Sequence, residues 1–446
     1  MREVDRRTFL KRSALFGGAL SLAGPLEALS ANAAAGRSFS GGGYGALSDV
    51  GDLKLPRGFR YRVISRVGDL MSDGSPTPGV FDGMAAFRGP RNTTVLVRNH
   101  ENRRLPNEVP VVVPSDKRYD ADGSYNGGNT KLVLSPRGRV LESFAVLGGT
   151  STNCAGGRTP WGSWITCEEV FDSGQRPHGY VFEIDSHATG PVPAIPIRGA
   201  GRFVHEAVAW VGGKLYETED RPTNAALYRY VPNGRPRGPG QLAHTSGVLQ
   251  ALAVKDRPNA HTASGWPVGV PFGIEWVVID DPEPDSDAPP SGVRFQAEAK
   301  GAAAFERQEG MWAADGKVFF DCTTDGAAGE GQVWMLDPRS RTLTLIYESP
   351  GSQELDNPDN MVVVPLTGDL LLCEDGSDSQ FLRGLTSDGR IYDFAETVAN
   401  HSEFCGACFD PTGHTLFVNQ QGGRPDPPAV TYAITGPWRR PRSPAQ

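Results

Sequence analysis

One unit recurs along the chain: an acidic or polar residue, a small-and-apolar strand, a Gly-containing turn, a second apolar strand, then another acidic cluster. Glu206 to Asp220 and Glu309 to Thr323 share this pattern, with Gly212-Gly213-Lys214 and Asp315-Gly316-Lys317 as the turns. Asp359 to Asp375, Cys154 to Glu169, Asp82 to Glu101 and Cys405 to Asn419 bring the copies to six. Most copies start about 50 residues apart, the length of a four-stranded blade with its loops. Thr130 to Leu134, Gly179 to Ile184, Ala226 to Val231, Gly331 to Leu336 and Gly389 to Phe394 alternate with period two, as half-buried outer strands do. The spacing predicts an all-β fold, a six-bladed β-propeller. A two-sheet sandwich is the runner-up, and it would not require the same hairpin six times.

Composition agrees with many short strands and tight turns. The 446 residues include 55 Gly and 36 Pro without a collagen-like period, and 38% of them are apolar. A formal net charge of −8 disfavours a nucleic-acid surface. Six Cys are too few for a disulfide scaffold. No GxSxG, Walker loop or dinucleotide fingerprint is present, so serine-hydrolase, P-loop and Rossmann chemistry have no support.

Residues 1–35 resemble a twin-arginine export signal: Asp5-Arg6-Arg7-Thr8-Phe9-Leu10-Lys11 precedes a mild apolar run, Ser13 to Leu29, and the small residues Ala31 to Ala35. The run is diluted by Gly17, Gly18, Gly24 and Pro25 and is too weak for a membrane span. Export by that machinery leads to the periplasm or beyond and carries proteins already folded, which makes a preassembled metal site plausible. The expected organisation is a signal over 1–35, one propeller domain over 36–436 and a disordered tail over 437–446. The stretch Asp280 to Pro290 reads as a surface loop, and Ala299 to Phe305 after it as a short helix.

A hairpin returns both its ends to one edge of a sheet. Acids at the ends of the six copies therefore converge at one mouth of a propeller channel, where they repel one another unless cations neutralise them. The candidates are Asn99, Glu101, Cys154, Glu168, Glu169, His205, Glu206, Glu219, Asp220, Arg307, Glu309, Asp356, Asp359 and Glu374. Hard oxygens in this number suit Ca²⁺, whereas the Cys154 thiolate suits a softer transition metal. Cys167 and Cys373 read as packed blade residues, and Cys405 with Cys408 as a strand pair. Arg307, two residues before Glu309, is either an ion-pair partner or a bidentate clamp for phosphate.

Asn153 to Gly157 together with Thr159-Pro160-Trp161-Gly162-Ser163-Trp164-Ile165-Thr166-Cys167-Glu168-Glu169 resemble the PhoX family of secreted alkaline phosphatases. The likeness continues through His205-Glu206, Glu219-Asp220, Arg307 with Glu309, Asp356 to Asn360 and Cys373-Glu374-Asp375. The resemblance implies a propeller with iron (Fe³⁺) and calcium (Ca²⁺) at the channel mouth. It makes Cys154 an iron ligand, with Glu168, Glu169, Glu219, Asp220, Glu309, Asp359 and Glu374 supplying oxygens. Arg307 and Glu309 become the catalytic residues, and Arg307, Asn99 and Glu101 the substrate-binding ones. The expected reaction is hydrolysis of small-molecule phosphomonoesters with a metal-bound oxygen as nucleophile. A calcium-dependent lactonase and a non-catalytic binding propeller are the alternatives.

Overall fold

The computed structural model describes residues 43–423 and 427–438, with the backbone of Phe39–Ser40. The export signal expected over residues 1–35 lies outside them. Short alternating strands separated by Gly- and Asp-containing turns pair with their sequence neighbours into five sheets in a propeller-like, all-β arrangement.

Phe81–Arg88, Thr94–His100, Gly127–Leu134 and Val140–Thr150 form one antiparallel sheet, and Asn153–Arg158, Ser163–Glu168 and Val181–Asp185 the next. A nine-stranded sheet starts at His205–Val211 and ends at Gln308–Ala314. Its two halves join where Pro271–Val278 pairs with Thr342–Glu348. Pro358–Val363 begins a seven-stranded sheet extended by Leu53–Pro56 and Leu47–Asp49. In the last sheet Phe404–Phe409, Thr415–Gln420 and Val430–Thr435 take Arg60–Arg66 as their fourth strand, so the N-terminal part of the described chain closes the C-terminal sheet.

The six first strands, Phe81–Arg88, Asn153–Arg158, His205–Val211, Gln308–Ala314, Pro358–Val363 and Phe404–Phe409, neighbour one another in that order, and the last neighbours the first. Apolar side chains interlock between adjacent sheets. Met84, Ala86, Leu96 and Leu132 of the first sheet pack on Cys408, Phe417 and Ala433 of the last. No helix among the described residues is long and apolar enough to cross a membrane.

Two expectations are corrected. Trp438, placed in the tail, is 1% exposed and stacks on Phe394, while Tyr44 Oη donates to its carbonyl at 2.7 Å. A buried indole holds that segment in the core, so residues 437 and 438 belong with the folded domain. The helix is Val293–Ala299 rather than 299–305. Gly301 at φ +84 follows its end, and Phe305 bridges to Ala225 instead.

Candidate metal centre

In each of the six hairpins the strand pairing slips near the start of the first strand. A bulge leaves a residue out of the ladder and re-aims its side chain. At or beside the slips stand Asp82, Cys154, Glu206, Glu309, Asp359 and Cys405. The residue following each second strand repeats as well. The main-chain N–H groups of Glu101, Glu169, Asp220, Thr323, Asp375 and Gln421 donate to the carbonyls of Val80, Thr152, Val204, Arg307, Asn357 and Glu403. Each hairpin therefore sends one side chain from its bulge and one from its second strand's end to the same end of the ring.

The backbone is forced where this happens. Val80, Thr152, Arg307 and Asn357, each two residues before a bulge residue, have φ of 46, 49, 46 and 48°. Side-chain-bearing residues, β-branched ones above all, rarely adopt that region, at a cost of about 1–3 kcal/mol each. Adjacent first strands also come very close. A Cβ on Gly83 would sit 2.7 Å from Ala155 Cα and 2.8 Å from the Cys154 carbonyl oxygen. Asn99 and Asn419 lock this approach. Asn99 Nδ2 donates to the carbonyls of Cys154 and Ala155 at 2.5 and 2.7 Å, and Asn419 Nδ2 to that of Asp82 at 2.6 Å.

The converging groups form clusters whose potential ligand atoms lie within 4.8 Å of one another: Glu101, Cys154 and Glu169; Glu206, Glu309 and Asp359; Asp359, Asp375 and Glu403; Asp82, Glu403 and Cys405. Both carboxylate oxygens of Glu206 and Oδ1 of Asp359 are buried without a hydrogen-bond partner among the described residues. Burial, and after it the neighbouring acids, push Asp82, Glu169, Glu206 and Glu309 well above the usual carboxylate range. Asp359 is raised to about 7 by burial and then by Asp375. Orphaned, mutually repelling oxygens are what bound cations would satisfy, so this donor set fits metal.

Two arginines border the clusters. Arg307 Nε is 3.2 Å from Asp220 Oδ1, and its Nη2 donates to Glu309 Oε1. Arg103 donates through Nε to Glu101 Oε1 at 2.6 Å and places Nη2 3.6 Å from Glu169 Oε2. Gln421 Nε2 ties Asp82 Oδ2 to Glu101 Oε2 at 3.1 and 2.8 Å.

Of the expected site residues, Glu101, Cys154, Glu169, Glu206, Asp220, Glu309 and Asp359 come together, with Arg307 beside them. Glu168, Glu219 and Glu374 do not. Neighbours along an extended strand face opposite ways, and these three point into the blades. Glu168 accepts from Ser151 N, His178 Nδ1, Gly179 N and Tyr180 N. Glu219 accepts from Tyr228 Oη and lies 3.6 Å from Arg294, and Glu374 accepts from Arg383 Nε and Asp356 N. Asn99 is fully buried with its amide committed to backbone, which leaves it a supporting role rather than a substrate contact. Glu101, expected at the substrate, lies among the candidate ligands. His205 stacks on Phe203 with Nε2 3.2 Å from the Gly201 carbonyl, outside the clusters, as is Asp356.

Asp82, Arg103, Asp375, Glu403 and the Cys405 thiol were not among the expected site residues. Asp82 opens its copy as Glu206 does, and Asp375 follows Glu374 as Glu169 follows Glu168. Aligning the copies position by position carries the signal for both. Cys405 reads from the sequence as a strand residue first and half of a redox pair second, yet its thiol faces Asp82 and Glu403.

Fold and site together define an all-β, propeller-like protein with a centre rich in carboxylates and thiols at one end of its ring. The family model described as alkaline phosphatase PhoX matches residues 42–142 and 136–423, and the chain belongs to that family. Membership makes it a metal-dependent alkaline phosphatase. Among solved structures, Pseudomonas fluorescens PhoX in complex with vanadate, a transition state analogue, is similar at 18% identity with a TM-score of 0.62, over 86% of this chain and 96% of that one. A Trypanosoma rangeli sialidase overlays at 8% identity with a TM-score of 0.43, over 85% of this chain and 59% of its own. No curated protein sequence matches.

Proposed function

We propose that this chain hydrolyses phosphomonoesters of small molecules using calcium and iron held by its converging side chains. The observation carrying this is the set of clusters in which buried, unpartnered carboxylate oxygens face one another. The softer donor set of Cys154 with Glu101 and Glu169 suits iron, and the all-carboxylate sets of Glu206, Glu309, Asp359, Asp375 and Glu403 suit calcium. Bound there, the cations would supply charge neutralisation and Lewis acidity toward a phosphoryl group.

The chain's own groups orient and shield. Arg307 presents a planar fork to the phosphoryl oxygens and counters charge that grows on them. Glu309, paired with Arg307, fixes the direction of that fork while turning to the carboxylate set. The bulges and the amides of Asn99 and Asn419 keep the donors in place before substrate arrives. With the nine-stranded sheet counted as two blades joined at their outer edges, six blades of one domain surround the channel. The arginine pair at residues 6 and 7 supports twin-arginine export to the periplasm or the medium.

The test is hydrolysis of an aryl phosphomonoester at alkaline pH by purified protein, before and after chelation and after return of calcium and iron. Turnover lost on chelation and regained with the metals is the expected result. No turnover by metal-replete protein would refute the activity.

A further inference from the structure

We propose that Arg103 is a second anion-binding arm of this centre, acting with Arg307 to receive the phosphoryl group of the substrate. The inference rests on the phosphomonoester reading above and adds a residue to it. Glu169 lies between the two arginines: it is 3.6 Å from Arg103 Nη2 and neighbours Asp220, which Arg307 Nε approaches to 3.2 Å.

Each arginine is more exposed than the acid it is paired with. The Arg103 side chain is 48% exposed and that of Arg307 31%, against 0% for Glu101 and 4% for Glu309. A solute reaching this mouth meets two guanidinium groups, with Asp375 the exposed acid of the centre, in a chain whose net charge is −8. Their accessible positive charge favours entry of a phosphomonoester dianion to a centre built from carboxylates. Both arginines also leave the same donor free. Nε and Nη2 are engaged by carboxylates, and Nη1 has no hydrogen-bond partner among the described residues.

Arg103 is held ready for this role. Its N–H donates to Glu108 Oε1 at 2.8 Å, and the preceding Asn102 accepts from Thr152 N and donates to the Val109 carbonyl, both at 2.9 Å.

The experiment compares wild type, R103A and R103K in metal-replete protein, measuring metal content, kcat and KM for an aryl phosphate, and inhibition by inorganic phosphate. R103A is expected to keep its metals while KM and the phosphate inhibition constant rise together, about tenfold or more, the scale of a charge-assisted hydrogen bond. R103K restores the charge without the fork and is expected to fall between the two; it carries the same test if R103A does not fold. Unchanged KM and phosphate inhibition would overturn the proposal. Metal loss in R103A would overturn it too, making Arg103 a clamp on Glu101 and Glu169. A wild type that neither hydrolyses phosphomonoesters nor is bound by phosphate strikes the underlying reading, and the proposal falls with it.

Discussion

Asn419 in the last hairpin donates its side-chain amide to the main-chain carbonyl of Asp82 in the first, at 2.6 Å and fully buried. This bond crosses the seam where the ring closes and sets the carbonyl of a residue whose carboxylate belongs to the candidate metal centre. Asn419→Ala leaves a buried carbonyl unpaired and is expected to cost about 1–3 kcal/mol. Urea unfolding checks this, and an unchanged midpoint would show that the seam does not depend on the bond.

Close approach of first strands predicts intolerance of the smallest addition. In Gly83→Ala the new Cβ meets backbone of the neighbouring strand at 2.7–2.8 Å, which no side-chain rotation relieves. The strands must separate, so bound metal and turnover are expected to fall at least about tenfold, with a loss of stability on the scale of about 1–3 kcal/mol for overpacking. Metal analysis alongside the melting temperature measures both.

Adjacent acids should behave as opposites. Glu168 accepts four hydrogen bonds, so Glu168→Gln turns an NH₂ toward N–H donors and is expected to destabilise by about 1–3 kcal/mol. Glu169→Gln is expected to leave the unfolding midpoint of chelated protein unchanged or higher, because burial and the neighbouring acids already disfavour its charge, and to weaken metal retention. The reverse assignment would place Glu168 at the metals.

The hairpin repeat is legible in the sequence, because period-two alternation and turn residues are local properties. The choice between Glu168 and Glu169, or between Glu219 and Asp220, is not, since it depends on which face each residue takes at a strand end. The joining of Pro271–Val278 to Thr342–Glu348 is equally hidden. It is a contact between distant edge strands that no local pattern announces. Arg103 carries no such local signal, because its relation to Glu169 exists only once two hairpins are side by side.

Stability of the metal-free protein should fall as pH rises. Unfolded Asp and Glu titrate near about 4, whereas in the folded chain Asp359 keeps its proton to about 7 and Asp82, Glu206 and Glu309 shift in the same direction. The folded state thus binds more protons than the unfolded one between those values. The contribution is fully present below about 4 and is lost as pH rises through about 7. Chelated protein is expected to melt lower at pH 8 than at pH 5, and cations should reduce that difference. A chelated protein whose melting temperature does not fall would contradict this electrostatic picture.

The most direct test of the centre is elemental analysis of purified wild type beside Cys154→Ala. The account predicts calcium together with iron in the wild type, and calcium retained while iron is lost in the variant. A wild type without bound metal, or a variant with its iron intact, would contradict it.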